Sequence, residues 1–273
     1  MKNWLCAALG LLGAMVAPIT CAHEFWMLPK SFAVASGGAT ALTLAVGENA
    51  QGDPVAFSAA LVVSLRHYSL GQSLDLRGRV PADRALAELP VVLPRAGTHL
   101  IALDTNPSQI VLPADKFHAY LHDEGLDFVI KKREAAGTAT SPGRERYRRN
   151  LKTLLQAGGV SDATYSVRTG QRLEIVPLAN PSDPSGAEGL GLQILFDGKP
   201  LANALVKAWQ KRGGQTLIIR TRTDTQGNAA VTFPWPGAWM LSVVHMVAVT
   251  DSEDHDWDSY WANLTFALPG AAP

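Results

Sequence analysis

The chain has 273 residues, 24 basic and 24 acidic side chains, 47% hydrophobic residues, 24 Gly, 17 Pro and two Cys. That composition is globular, and it excludes a disordered, collagenous or disulfide-stapled protein. A formal net charge of zero supplies no bulk attraction to nucleic acid or to anionic lipid, so any function has to sit in a local site.

Residues 1–22 read as a secretory signal peptide: Lys2 is the positive start, 4–16 is the apolar run, Pro18 breaks it, and Thr20-Cys21-Ala22 offers small residues for cleavage. The run is short of the ~20 residues that span a bilayer, so no membrane insertion of the mature chain is expected. Cleavage after Ala22 would make His23 the first residue and place the protein in the periplasm or outside the cell. Both thiols, Cys6 and Cys21, fall inside this leader. The remaining 251 residues would then hold no disulfide, thiolate metal site or cysteine nucleophile.

Beyond the leader the pattern is mostly β. Residues 39–46 alternate small and β-branched side chains, 55–65 form an apolar stretch, and 98–103 follow the turn-like Pro94-Arg95-Ala96-Gly97. Two helices are expected inside this region. The first starts near Pro113-Ala114-Asp115, carries Phe117, Tyr120 and Leu121, and ends around Gly125. The second has Ser141 and Pro142 at its start, Tyr147, Leu151, Leu154 and Leu155 on one face, Arg144, Arg148 and Lys152 on the other, and Gly158-Gly159 as its stop. The Pro-, Ser-, Asp- and Gly-rich stretch 177–191 is expected to link an N-terminal domain, 23–176, to a second one, 192–268. The latter shows short strands at 192–196, 204–209, 216–223, 229–233 and 239–249, with turns at Asp197-Gly198-Lys199-Pro200 and Asp224-Thr225-Gln226-Gly227. The expected fold class is therefore mostly β, two β-sandwich-like domains with two helices inserted in the first.

Several stretches carry a family resemblance. They include His23-Glu24-Phe25-Trp26, Gly47-Glu48 with Gly52-Asp53, and the run from Tyr120 to Leu126. Further matches are Gly143-Arg144-Glu145-Arg146-Tyr147 with Lys152-Thr153-Leu154-Leu155, Asp197-Gly198-Lys199-Pro200-Leu201, Thr223-Asp224-Thr225-Gln226-Gly227, and the run from Trp261 to Phe266. Together they resemble NikM-like secreted bacterial proteins, catalogued as a domain of unknown function and associated with nickel or cobalt uptake. The second half is similar to transthyretin-like or carboxypeptidase-regulatory-like sandwiches, which implies a binding or structural module and no reaction.

Chemistry concentrates on histidine. An N-terminal His can chelate a divalent transition metal through its α-amine and ring Nδ1, and nitrogen donors suit Cu(II), Ni(II) and Zn(II). His23 is the anchoring ligand on this reading. The resemblance makes His245, in the apolar run 242–247, the first choice as its partner, with His99 next. The loop 251–258 holds five carboxylates and His255, so Asp254 and His255 are further ligand candidates, although the EF-hand order is absent. His118 and His122 lie four apart on the first helix, but Ala119 replaces the Glu of HExxH, and a solvent-facing pair is the plainer reading. His67 completes the set.

GxSxG, P-loop and GxGxxG signatures are missing, and the chain is read as a non-enzyme. The expectation is a periplasmic protein binding nickel, cobalt or copper and passing the ion to or from a membrane transporter. The alternative is a non-catalytic envelope module, with Trp235, Trp239, Trp257 and Trp261 as a platform for a glycan. A copper oxidase built on the N-terminal His is a third and weaker reading.

Overall fold

The computed structural model describes residues 23–48, 51–183 and 189–270, so the expected leader and part of the expected linker lie outside the described residues. The strands in chain order are β1 Glu24–Pro29, β2 Ala33–Val34, β3 Ala39–Glu48, β4 Gln51–Val55, β5 Val62–Ser69, β6 Gln72–Asp75, β7 Leu89–Val92, β8 Gly97–Thr105 and β9 Ser108–Leu112. Helices α1, Ala114–Asp123, and α2, Asp127–Ala135, interrupt them. There follow β10 Gly143–Ala157, β11 Leu173–Pro177, β12 Leu190–Phe196, β13 Lys199–Pro200, β14 Leu205–Arg212, β15 Gln215–Arg222, β16 Asn228–Val231, β17 Gly237–Ala248 and β18 Trp257–Leu268. The protein is mostly β, sandwich-like, with two helices. No helix among the described residues is long and apolar enough to cross a membrane.

A ten-stranded sheet is the backbone of the molecule. Its order is β15-β14-β17-β18-β10-β8-β5-β6, with β2 and β9 also paired to β10. Two four-stranded sheets cover opposite faces of it. One, β1-β3-β4 with β7 on β3, encloses Met27, Leu42, Leu44, Leu65, Ile101 and Leu151. The other, β11-β12-β13 with β16 on β12, encloses Leu173, Ile194, Val243, Tyr260, Leu264 and Phe266. The 177–191 stretch thus stands between halves that share strands: β11 pairs with β12 across it, and β10 runs parallel to β18 from Glu145↔Trp257 to Thr153↔Thr265.

The first expected helix is α1, which buries Phe117, Tyr120 and Leu121 and gives way to Gly125 at φ 68°, a backbone conformation that costs glycine nothing. The second requires correction. Residues 143–157 form the 15-residue strand β10, and the second helix is α2, upstream of it. The physical reason is that β10 is buried on both faces. Leu151 and Leu155 pack toward the β1 sheet while Leu154 packs toward the β11 sheet, so the hydrophobic spacing that suggests a helix is the sum of two period-2 patterns. The basic residues follow the same alternation. Arg144 forms a two-point contact with Asp256, just before the parallel neighbour β18, Arg146 forms one with Asp258 on it, and buried Lys152 meets Glu174 at 2.6 Å.

Candidate functional site

The start of β1 lies over the centre of the large sheet, and a layer of polar groups is trapped beneath it. Strand alternation sends Lys207 and Trp209 of β14, Ser242 of β17, Ser259 and Asn263 of β18, and Glu145 and Arg149 of β10 toward β1 and α1. Glu24 enters from above, 5% exposed; its carboxylate accepts from Ser242 Oγ at 2.8 Å and Asn263 Nδ2 at 3.1 Å. Ser242 Oγ in turn accepts from Trp209 Nε1 at 3.0 Å. Lys207, 2% exposed, donates to Glu124 Oε1 at 2.7 Å and Asp123 Oδ2 at 3.2 Å, both at the end of α1. Burial drives the Glu124 carboxyl up to about 8, against the pull of Lys207. Burial by itself would lower Lys207, but Glu124 and Glu24 more than offset it and raise the ammonium above its ordinary range. Deeper in, Glu145 accepts from Tyr120 and Ser259 and is pushed up to about 7 by burial.

Arg149 fastens the chain at His23. Its Nη1 donates to the His23 carbonyl at 2.9 Å, and its guanidinium lies against the rings of Phe25, Tyr147 and Trp261. The His23 ring is half-exposed, with Nε2 3.6 Å from the Glu48 carboxylate on β3. Glu48 separates two hollows. One, of about 570 Å³, is lined by His23, Glu48, Gln51 and Asp53; the other, of about 340 Å³, runs between α1 and the β14–β15 hairpin over Glu24 and Lys207.

The other expected ligands are elsewhere. His99 of β8 is buried beside His67: its Nδ1 is 2.7 Å from His67 Nε2, and its Nε2 is 3.0 Å from the Arg95 carbonyl, so both ring nitrogens are occupied. Burial lowers both imidazoles, His67 to about 4. His245 sits an odd number of residues from Ser242 and therefore faces away from Glu24, against Phe196 and Phe128; burial lowers it to about 4. His255 is buried in its loop between Ser252, at 3.0 Å, and Asp258, at 3.5 Å. Asp254 is exposed, with its amide bonded to Ser252 Oγ. The loop's carboxylates are relieved by arginines: Arg144 holds Asp256 below the usual range, and Arg146 does the same for Asp258 against its burial. His118 and His122 are exposed, and His122 contacts Asp127 at 3.3 Å. Trp239, Trp257 and Trp261 are buried core residues, which leaves only Trp235 of the four partly open. Among the described residues no three His, Cys, Asp or Glu side chains gather as a metal-holding group.

Glu24, Glu124 and Glu145 stand in the stretches that carry the resemblance but were assigned no role there, and Lys207 was not singled out at all. One of them was signalled: Lys207 interrupts Ala204-Leu205-Val206 and Ala208-Trp209 in an apolar strand, where an ammonium requires a buried partner. Glu124 follows α1 as an ordinary polar residue would, and nothing local distinguishes it.

Three solved structures to which the chain is similar are weak likenesses. A tetra-tandem repeat from the extending region of a large adhesion protein is 8% identical over 90% of this chain and 49% of that one, with a TM-score of 0.23. The native conformation of E. coli alpha-2-macroglobulin is 14% identical over 92% and 15%, with a TM-score of 0.23. The Enterococcus faecalis MSCRAMM ACE is 11% identical over 92% and 98%, with a TM-score of 0.20. The chain spans about half the length of the first and less of the second, and scores this low carry no structural argument. No curated protein matches it. The family model of a domain of unknown function, DUF4198, matches residues 20–247, most of the sequence, and the chain belongs to that family.

Proposed function

We propose that this is an exported protein that binds a divalent transition metal ion, nickel, cobalt or copper, at its processed N-terminus and hands it to or from a membrane transporter without covalent chemistry. The NikM-like resemblance supplies the transport context. The observation that carries the reading is the placement of His23. Its ring lies at the mouth of an open hollow, its distal nitrogen faces a carboxylate at 3.6 Å, and its carbonyl is fixed by Arg149.

The donor chemistry fits a metal on one condition. The His23 ring alone is too little to hold an ion, so a further donor has to be the α-amine that cleavage after Ala22 would free. The amine and Nδ1 of one histidine close a chelate ring, and a carboxylate opposite Nε2 keeps the ring proton on that nitrogen, leaving Nδ1 its lone pair. Glu48 is that carboxylate, and Asp53 lines the same hollow. His99, His245, His255 and Asp254 lie at other places and are left out of the site. What the bound ion would supply is exchangeable coordination, suited to transfer.

Calorimetric titration with Ni(II), Co(II), Cu(II) and Zn(II) tests this on protein beginning at His23. One ion per chain is expected, with binding lost in His23→Ala and in protein that retains Ala22. Glu48→Gln is expected to weaken it about 10- to 100-fold, the usual effect of removing a carboxylate behind a ligating histidine. Equal affinity with Ala22 retained would overturn the chelate.

A further inference from the structure

We propose that the chain pairs with a second copy of itself through strand β15, edge to edge and antiparallel, about a two-fold axis at Ile218. β15 ends the ten-stranded sheet: β14 lies on one side, and among the described residues no strand lies on the other. An open edge carries a row of N–H and C=O groups able to pair with another strand, and folded chains ordinarily protect it by shortness, proline or charge. The other edges of this molecule are protected. β1, β4, β7, β11 and β13 contain Pro29, Pro54, Pro90, Pro177 and Pro200, and β2, β6, β9 and β16 are five residues or shorter. β15 has eight residues with no proline, glycine or acidic side chain, and its register with β14 is unbroken from Arg212↔Gln215 to Leu205↔Arg222. None of the eight is buried, whereas Val206 to Gln210 beside them are.

Charge does not guard this edge either. Arg220 and Arg222 reach Asp123 and Asp127 at the helices, at 3.8 and 3.4 Å, so each guanidinium is answered by a carboxylate of its own chain. The turn decides which backbone groups face outward. Gly213-Gly214, at φ 56° and 81°, make a two-residue turn that Arg212 and Gln215 close as a hydrogen-bonded pair. Bonded and non-bonded pairs alternate along the hairpin, so Leu217, Ile219 and Thr221 direct their backbone groups at β14, and those of Ile218 and Arg220 point away from it.

Symmetry and sequence name the occupant. A two-fold axis normal to the sheet brings residues of one side-chain face opposite one another, so it has to pass through a residue. At Ile218 it sets Ile218 against its copy, Leu217 against the second copy's Ile219, and Gln215 against the second copy's Thr221. Apolar meets apolar and polar meets polar, while the arginines of the two copies fall at opposite ends of the pairing. Moved one residue along, to Ile219, the axis would set Ile218 against Arg220 and Leu217 against Thr221. Leu217 and Ile219 already pack against the core beneath the β11 sheet, and Ile218 against the cluster of Trp26, Trp209 and Met240. The pairing therefore continues an apolar layer on both faces of the sheet from one copy to the next.

The metal reading and this one can fail separately, because the pairing requires neither His23, nor a processed terminus, nor an ion. Sedimentation equilibrium of the exported protein should show monomer passing to dimer as concentration rises. Cysteines read the register. Gln215→Cys and Thr221→Cys proteins, mixed under mild oxidation, should form a disulfide-linked dimer about tenfold faster than either alone, because residue 215 and its copy stand six residues, roughly 20 Å, apart. Ile218→Pro removes an N–H that β14 does not use, and it should leave a folded monomer. A monomer at every concentration would overturn the proposal and leave the edge to a strand of another protein. Equal cross-linking of each cysteine variant with itself, or a dimer undiminished in Ile218→Pro, would also overturn it, and the cysteine pair decides even where Ile218→Pro does not fold.

Discussion

Histidines in this protein take their character from what surrounds each ring. His23 faces water and a carboxylate, whereas His67 and His99 are closed off with each other for company. Burial, the neighbouring His99 and Arg79 lower His67 from 6.5 to about 4, so between those values the unfolded chain takes up a proton that the folded chain refuses. Its contribution to stability is whole above pH 6.5 and is lost as the pH falls toward 4, at a cost of roughly 2–3 kcal/mol. Glu124 and Glu145, raised in the fold, act in the opposite sense over part of that range, so the test has to be a difference between proteins. Urea unfolding of wild type and His67→Gln at pH 7 and pH 4.5 should show the variant losing less on acidification; an equal loss in both would clear His67 of the role. Residue type alone did not separate these rings. The family resemblance put His245 first as a ligand and His99 next, but only the pairing register tells which face of a strand a ring occupies.

At the scale of elements, β10 shows what one-dimensional pattern leaves open. A strand covered on both faces reads as a continuous apolar run, and Leu151, Leu154 and Leu155 fit helical spacing as well as they fit two buried faces. The half-buried strands at the ends of the sheets and the Gly-containing turns were legible because one face was polar or the backbone needed Gly, as at Asp197-Gly198, where φ is 49° and 73°. Helix α2 escaped because its few apolar residues make no stripe: Val129 is buried, while Phe128 is exposed. The start of β10 also fixes α1, since a Cβ on Gly143 would lie 2.2 Å from the Phe117 ring. Gly143→Ala is expected to destabilise the protein by about 1–3 kcal/mol through overpacking. Urea denaturation measures it, and a variant of unchanged midpoint would show that α1 moves freely against the strand.

For the whole molecule, the shared sheet matters more than the count of layers. The parallel run of β10 beside β18, and the pairing of β11 with β12, carry hydrogen bonds across the 177–191 stretch that composition marks as a linker. Differential scanning calorimetry should therefore show one cooperative transition; two resolved transitions would mean that the halves fold independently. The same sheet explains why the site was only partly visible in the sequence. His23, Glu24 and Glu48 stood out in motif stretches near the N-terminus. Lys207, Ser242 and Asn263 reach them through strands whose order no local signal specifies. The proposed metal site depends on one covalent event, and native mass spectrometry of protein purified from the periplasm reads that event and its consequence together. The account predicts a chain that begins at His23 and carries one nickel, cobalt or copper ion, lost on His23→Ala. A chain beginning at another residue yet holding the same ion, or one beginning at His23 that stays metal-free when all three are supplied, would contradict it.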